Sequence, residues 1–191
     1  SDKLFIASNS TYARGNKTSF AVVRYGNVMG SRGSIIPFFQ SLKKNHELPI
    51  TDKRMTRFMI TLDQGVKLVW KAFEDMMGGE IYVKKIPSMK VTDIALAIDN
   101  KAKQEEVGVR PGEKLHEQMI GSEDAPYTYE YDKYYKILPV INGWGHDPDR
   151  IKEGRLVAPN FIYNSGTNNQ WMSINELVDW IRSNQHKLGS V

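Results

Sequence analysis

Ser19-Phe20-Ala21-Val22-Val23-Arg24-Tyr25-Gly26-Asn27-Val28-Met29-Gly30-Ser31-Arg32-Gly33-Ser34-Ile35-Ile36-Pro37-Phe38-Phe39 is the stretch around which this chain is organised. The apolar run Phe20 to Val23, ahead of Gly26, Gly30 and Gly33, predicts a buried strand entering a glycine-rich turn. Four consecutive apolar residues ask for cover on both faces, as inside a parallel sheet. Ser34 is placed to cap a helix that starts at Ile35 and Ile36, and Pro37 falls in its first turn, where a missing N–H matters least. A strand, a turn and a helix N-terminus gather unpaired N–H groups and partial positive charge at one spot. That is a physical anion site, which Arg24 and Arg32 would deepen. The loop therefore reads as one wall of a pocket for a phosphorylated ligand, and on spacing alone a plain tight connection weighs evenly with it. Gly26-x-x-x-Gly30-x-x-Gly33 departs from Gly-x-Gly-x-x-Gly, so the loop is not the primary dinucleotide fingerprint.

Working outward, 191 residues of which 40% are hydrophobic and 25% charged suit one globular unit, or a unit plus an appendage, with a sizeable core. No apolar run approaches the roughly 20 residues that span a bilayer, and no basic-then-apolar leader stands at the start. Cys is absent, which excludes disulfides and thiolate metal sites and fits the cytoplasm. The four His show no metal-ligand spacing, so no metal is expected. A net charge of +4 spread along the chain argues for a few anion-binding arginines rather than a nucleic-acid surface. The opening Ser1-Asp2-Lys3-Leu4-Phe5-Ile6-Ala7 looks like the middle of a helix, and a piece of a longer protein is expected.

Further elements follow from the pattern. A helix is expected over residues 1–10, another from Ile35 to Lys44, and extended segments at 47–52 and 55–60. Leu62 to Met77 reads as a helix with Val66, Leu68, Val69, Trp70 and Phe73 on an inward apolar side, stopped by Gly78-Gly79. Strands are expected at 80–83, 105–109 and 134–139, and helices from Val91 to Ile98, from Leu115 to Met119 and from Ile174 to Gln185. The Gly-, Asp- and Pro-rich segment from Asn142 to Arg155 reads as loop. Alternating strand and helix argue an α/β fold.

Among chemistry-bearing residues, Arg54 and Arg57 end an extended segment, and the apolar Phe58-Met59-Ile60 half-buries Arg57, where an unpaired charge would be costly. That points to Arg57 as an anion ligand through its paired N–H donors. Arg110-Pro111-Gly112-Glu113 projects one charge of each sign from a turn, suited to a diphosphate and a ribose hydroxyl; a local salt bridge is the plainer alternative. His116 reads as a satisfied polar residue. Tyr129-x-x-x-Lys133 has the spacing of a proton-transfer pair on one helical face, but its aromatic, acidic surroundings lead into a strand, so the match is taken as chance.

These motifs converge on a resemblance. Arg24-Tyr25-Gly26-Asn27-Val28-Met29-Gly30-Ser31-Arg32-Gly33-Ser34, Met55-Thr56-Arg57-Phe58, Lys85-Ile86-Pro87-Ser88-Met89-Lys90 and Arg110-Pro111-Gly112-Glu113-Lys114-Leu115-His116-Glu117 resemble the extended short-chain dehydrogenase/reductases that act on nucleotide sugars. Within them the chain, including Val157-Ala158-Pro159-Asn160-Phe161 and Asn168-Asn169-Gln170-Trp171, is most similar to the inverting UDP-N-acetylglucosamine 4,6-dehydratases of pseudaminic acid biosynthesis. The resemblance implies the C-terminal part of an NAD(P)-binding Rossmann-like fold interleaved with a smaller substrate domain, residues 1–191 forming one unit. It implies tightly held NADP, oxidation at C4 of UDP-N-acetylglucosamine, loss of water across C5–C6 and hydride return to C6 with inversion at C5. It also implies a homo-oligomer. The catalytic Tyr-x-x-x-Lys and Asp-Lys pair are expected upstream of Ser1, so no catalytic residue is expected in this chain, and Asp2-Lys3 is not that pair. Asn27 would contact substrate, Val28, Met29, Gly30, Ser31 and Arg32 would line the nicotinamide side, and Arg57, Arg110 and Glu113 would hold the UDP moiety. Met29 stands where the family has a smaller residue. The alternatives are another UDP-sugar dehydratase or epimerase of polysaccharide biosynthesis, or a non-catalytic nucleotide-sugar-binding module.

Overall fold

The apolar run becomes the strand Val22–Arg24, paired in parallel with Ile81–Lys84. In the computed structural model, which describes residues 2–12, 18–31 and 33–185, that pair opens a five-stranded sheet. Tyr134–Ile137, Thr128–Glu130 and Arg155–Leu156 add to it in that order, all antiparallel. Contacts divide the chain into two units. This sheet belongs to the first, made of residues 1–25, 63–85 and 119–163. Val22–Arg24 is terminal in the strand order and only half-buried, so the cover expected on both its faces is incomplete.

The core of the first unit is aromatic: Leu68 and Ala72 pack with Tyr82, Tyr129, Tyr131, Tyr134 and Leu138. Two buried ionic groups sit in it. Asp75 and Lys136 meet at 2.7 Å, with Tyr82 Oη donating to the same carboxylate at 2.9 Å. Arg150 pairs with Glu80 and donates to the Gly78 carbonyl at 2.8 Å, which ties the helix stop to the turn before Ile81. Gly78 has φ +112°, and a Cβ there would lie 2.5 Å from Asn9 Oδ1, so both conformation and space require glycine. Asn9 is itself committed, its Oδ1 accepting from Phe20 N–H at 3.0 Å.

The helix expected from Leu62 spans Leu62–Asp75, but of the residues expected to face inward only Leu68 does so. Gly65, Leu68, Ala72 and Asp75 are buried, while Leu62, Val66, Val69, Trp70 and Phe73 are exposed, Phe73 by 70%. Small residues let the helix lie close on the aromatic sheet, so the bulky stripe faces outward. Asn142 to Arg155 is not plain loop either. It holds a 3-10 turn, Ile141–His146, and a short helix, Pro148–Ile151, whose N-cap Asp147 accepts from Asp149 N–H. Tyr129 lies in a strand and donates to the Gly145 carbonyl at 3.1 Å, so it and Lys133 do not share a helical face.

The second unit comprises residues 26–62, 86–118 and 164–191. Asn27–Val28 runs parallel to Thr56–Ile60, which pairs antiparallel with Ser88–Lys90. Glu47–Ile50 pairs in parallel with Lys103–Glu106, so the strand expected at 105–109 starts and ends earlier; Gly108 (φ +87°) and exposed Val107 and Val109 lie beyond it. Helices Ile35–Leu42, Val91–Ile98 and Ile174–Ser183 close the core, which contains Met29, Ile36, Phe39, Leu48, Ile50, Met55, Met59, Ile94 and Leu177. The last helix opens on a Ser173/Glu176 capping box. No helix forms from Leu115 to Met119, and Gln118–Ile120 is a strand. The backbone groups that a helix would use are taken elsewhere: Thr56 N–H donates to Leu115 O at 3.1 Å, and Glu117 exchanges bonds with Ser165. Among the described residues no helix is long and apolar enough to cross a membrane.

Candidate functional site

A cleft of about 410 Å³ lies in the second unit, where the glycine-rich turn meets the strand Thr56–Ile60 and the turn around Arg110. Asn27, Ser31, Ser34, Thr51, Arg57, Arg110 and Glu113 supply its polar lining, and Ile35, Phe38, Phe39, Pro49 and Met59 part of its apolar lining. Of the residues expected to bind ligand, Asn27, Ser31, Arg57, Arg110 and Glu113 therefore share one cleft, though up to 86 positions apart in the chain. Val28 pairs with Ile60, Met29 is buried in the core, and Gly30 turns the chain at φ +79°; these three are outside its lining. Arg32 lies outside the described residues.

Gly26 explains how Asn27 reaches this place. A Cβ there would stand 2.2 Å from the Phe58 carbonyl oxygen, so only glycine lets the two strands approach. Ser34 does occupy the N-cap of Ile35–Leu42, with extended φ and ψ, but its hydroxyl makes no cap bond. Its Oγ is buried with no partner among the described residues, at the mouth of a helix N-terminus that borders the cleft.

The arginines divide by how they are engaged. Arg24 does not deepen an anion site: Asp2 at 2.7 Å, Asp124 at 3.2 Å and the Met119 carbonyl at 2.7 Å hold its guanidinium within the first unit. Arg54 is clamped on Asp52 at 2.6 and 3.0 Å, and these hydrogen bonds hold the Asp52 carboxyl down at about 2. Arg57 lines the cleft while its Nη1 donates to the carbonyls of Thr56 (2.8 Å), Lys114 (3.2 Å) and Leu115 (3.3 Å). Its Nη2 lies 3.7 Å from Glu113. Arg110 is exposed, and its turn is closed by Glu113 N–H donating to Arg110 O at 3.0 Å and Arg110 N–H donating to Glu113 Oε2 at 3.4 Å.

Sequence reading missed Glu117. Its Oε1 accepts from Asn27 Nδ2 at 2.8 Å, its Oε2 from Phe58 N–H at 2.7 Å, and Arg57 Nε lies 4.0 Å from Oε1. Burial pushes this carboxyl above the ordinary carboxylate range against those three attractions. Ser165, fully buried, accepts from Glu117 N–H at 2.9 Å, and its hydroxyl meets Thr56 Oγ1 at 2.7 Å. Thr56 Oγ1 in turn meets His116 Nδ1 at 2.8 Å, which makes His116 the satisfied polar residue expected. The signal for Glu117 was the second acidic residue of Arg110-to-Glu117, whose partner Phe58 is 59 positions away and invisible to local pattern. Among the described residues no group of three His, Cys, Asp or Glu is arranged to hold a metal ion.

A family model described as polysaccharide biosynthesis protein matches residues 1–139. A UDP-N-acetylglucosamine 4,6-dehydratase (inverting) from Campylobacter jejuni is 50% identical over 189 residues, 95% of this chain and 56% of that protein. The solved structure of Pen from Bacillus thuringiensis superposes with a TM-score of 0.82 at 28% identity, over 96% of this chain and 56% of that one. DesIV, a dTDP-glucose 4,6-dehydratase from Streptomyces venezuelae solved with NAD and TYD, gives a TM-score of 0.51 at 19% identity over 60% and 38%. That last likeness is one of fold alone. The fold is thus the α/β fold of the extended short-chain dehydrogenase/reductases, and the chain spans just over half the length of the Campylobacter dehydratase and of Pen.

Proposed function

Because the chain belongs to the polysaccharide biosynthesis protein family, we propose that it forms the nucleotide-sugar side of an inverting UDP-N-acetylglucosamine 4,6-dehydratase. The observation that carries this reading is the cleft that collects Asn27, Ser31, Arg57, Arg110 and Glu113 beside a helix N-terminus with an unpartnered Ser34 hydroxyl. A diphosphate supplies acceptors for the guanidiniums, the serine hydroxyls and the helix N-terminus. Glu113 offers an acceptor to a ribose hydroxyl, and the apolar lining gives a flat base or sugar face a surface to rest on. In this reading the second unit binds the substrate and the first ends the cofactor domain.

A nicotinamide cofactor, NADP in this proposal, would supply the hydride acceptor and donor. The residues fit it unequally. Half-buried Val28, Gly30 and the exposed Ser31 offer surface, whereas Met29 is only 4% exposed and would contribute backbone alone. No catalytic residue is assigned to this chain; the acid–base groups are proposed to lie in the part of the relatives' length that it does not span.

Calorimetry with UDP-N-acetylglucosamine on the full-length protein tests the reading. Arg110→Ala is expected to weaken binding by about 1.5–3 kcal/mol with unchanged stability, since its side chain is exposed. Arg57→Ala is expected to weaken binding and lower stability, because its Nη1 also ties three carbonyls. Equal affinity in both variants and parent removes them from the site. NMR of the product, a 4-keto-6-deoxy sugar inverted at C5, separates this activity from that of an epimerase.

A further inference from the structure

We infer that Glu117 is a positioning residue of the cleft, which sets the side of the Asn27 amide that a bound nucleotide sugar meets. This rests on the nucleotide-sugar reading of the cleft. A carboxylate only accepts hydrogen bonds, so the side of Asn27 that meets Glu117 Oε1 at 2.8 Å is its NH2 group. The other oxygen cannot be spared, because it holds Phe58 N–H at 2.7 Å in the neighbouring strand. The main chain of Glu117 is fixed from both directions, its N–H donating to Ser165 Oγ at 2.9 Å and its carbonyl accepting from Ser165 N–H at 2.8 Å. Ser165 is fully buried and bonded to Thr56, so the anchor is part of the core of this unit.

Gly26 completes the device. It brings the strand Asn27–Val28 against Phe58 so closely that one carboxylate reaches both the amide of Asn27 and the backbone of Phe58. Asn27 is exposed on the cleft and keeps Oδ1 and one N–H for a ligand. The acceptor Oδ1 is what a sugar hydroxyl or an amide N–H requires, whereas a phosphate oxygen does not donate to it.

The chemistry of the neutral analogue gives the test. In Glu117→Gln the glutamine oxygen is claimed by Phe58 N–H, so the glutamine NH2 faces Asn27. The Asn27 amide must then turn over, exchanging Oδ1 and Nδ2 before the ligand. Asn27→Asp/Glu117→Gln restores an acceptor against the glutamine NH2 and an acceptor before the ligand, at the same net charge. For the full-length protein, Glu117→Gln is expected to raise the Kd and KM for UDP-N-acetylglucosamine about tenfold at an unchanged melting temperature. The double variant is expected to return to within about threefold of the parent. Parent-like affinity in Glu117→Gln, or a double variant that binds no better than Glu117→Gln alone, overturns the inference.

A second readout does not depend on substrate. With selective 15N-asparagine labelling, the Asn27 side-chain NH2 is expected to exchange slowly with solvent in the parent and to lose that protection or shift its resonance in Glu117→Gln. Identical resonances and exchange overturn the inference even if no UDP-sugar binds. A parent that binds no UDP-sugar, yet shows the amide change, sinks the nucleotide-sugar reading alone.

Discussion

Asp75→Asn in the full-length protein probes a buried ionic group of the first unit. Asp75 is 9% exposed, and Lys136, its partner at 2.7 Å, is 1% exposed. The ammonium of Lys136 also lies over the rings of Tyr131 at 5.0 Å and Tyr82 at 5.9 Å. Among the described residues Asp75 is the one carboxylate recorded against Lys136, whereas Asp75 also holds Lys152 at 2.5 Å and Tyr82 Oη at 2.9 Å. Asparagine keeps the shape but leaves a buried cation without a counter-charge, at a cost of about 3–5 kcal/mol. Lys136→Met leaves the carboxylate with Lys152 and Tyr82, so its cost is smaller, about 2 kcal/mol. The combined Asp75→Asn/Lys136→Met variant should lose less than the sum of the two. Urea unfolding followed by circular dichroism at pH 7 measures all four proteins. An Asp75→Asn variant within about 1 kcal/mol of the parent, or a Lys136→Met variant less stable than Asp75→Asn, refutes the assignment.

Acid titration of the same proteins adds a signed check. Burial pushes the Asp75 carboxyl up, but the hydrogen bonds from Lys136 and Lys152 outweigh it and bring it down to about 2. A folded value below the unfolded one gives stability that is complete above the unfolded value, about 4, and is lost as the pH falls through 2. The gap between parent and Asp75→Asn should therefore be constant from pH 7 to about 5 and close by about 2 kcal/mol towards pH 2.

Two further outcomes are expected. Gly26→Ala would place a methyl group 2.2 Å from Phe58 O and push Asn27–Val28 off its neighbour, threatening the 2.8 Å bond from Met29 N–H to Ile60 O; it should cost about 2–4 kcal/mol by thermal melt and weaken UDP-sugar binding, and a parent-like melt would disprove the close approach. Residues 1–191 expressed alone should associate and fail to dehydrate UDP-N-acetylglucosamine with added NADP, because Val22–Arg24 ends its sheet and Trp70 and Phe73 are 61% and 70% exposed. Light scattering that shows a monomer, or measurable dehydration, contradicts this, and Trp70→Lys/Phe73→Glu should reduce the association.

Local chemistry was enough for several features. The glycine-rich turn after a strand, the helix Val91–Ile98, the stop at Gly78-Gly79 and the non-helical character of the Tyr129 stretch all follow from residue types and spacing, since turn sterics and backbone periodicity act over a few residues. Arg57, Arg110 and Glu113 were legible as candidate ligands for the same reason, since charge type and a Pro-Gly turn are local, and the structure brings the three to one cleft. What the chain does with its surfaces was not. Leu62–Asp75 turns its bulky stripe outward because the aromatic sheet accepts only Gly65, Leu68, Ala72 and Asp75. Residues 115–117 leave the helical path because Thr56 and Ser165 claim their backbone groups from 59 and 48 positions away. Arg24, Arg54 and Arg57 are the same side chain in sequence, and only their neighbours in space separate two neutralised charges from the one that lines the cleft. Glu117 owes its place to Gly26 and Phe58 together. Hydrogen-bond donors and carboxylates carry no record of a partner in the residue order, so tertiary structure alone decided which of them meet.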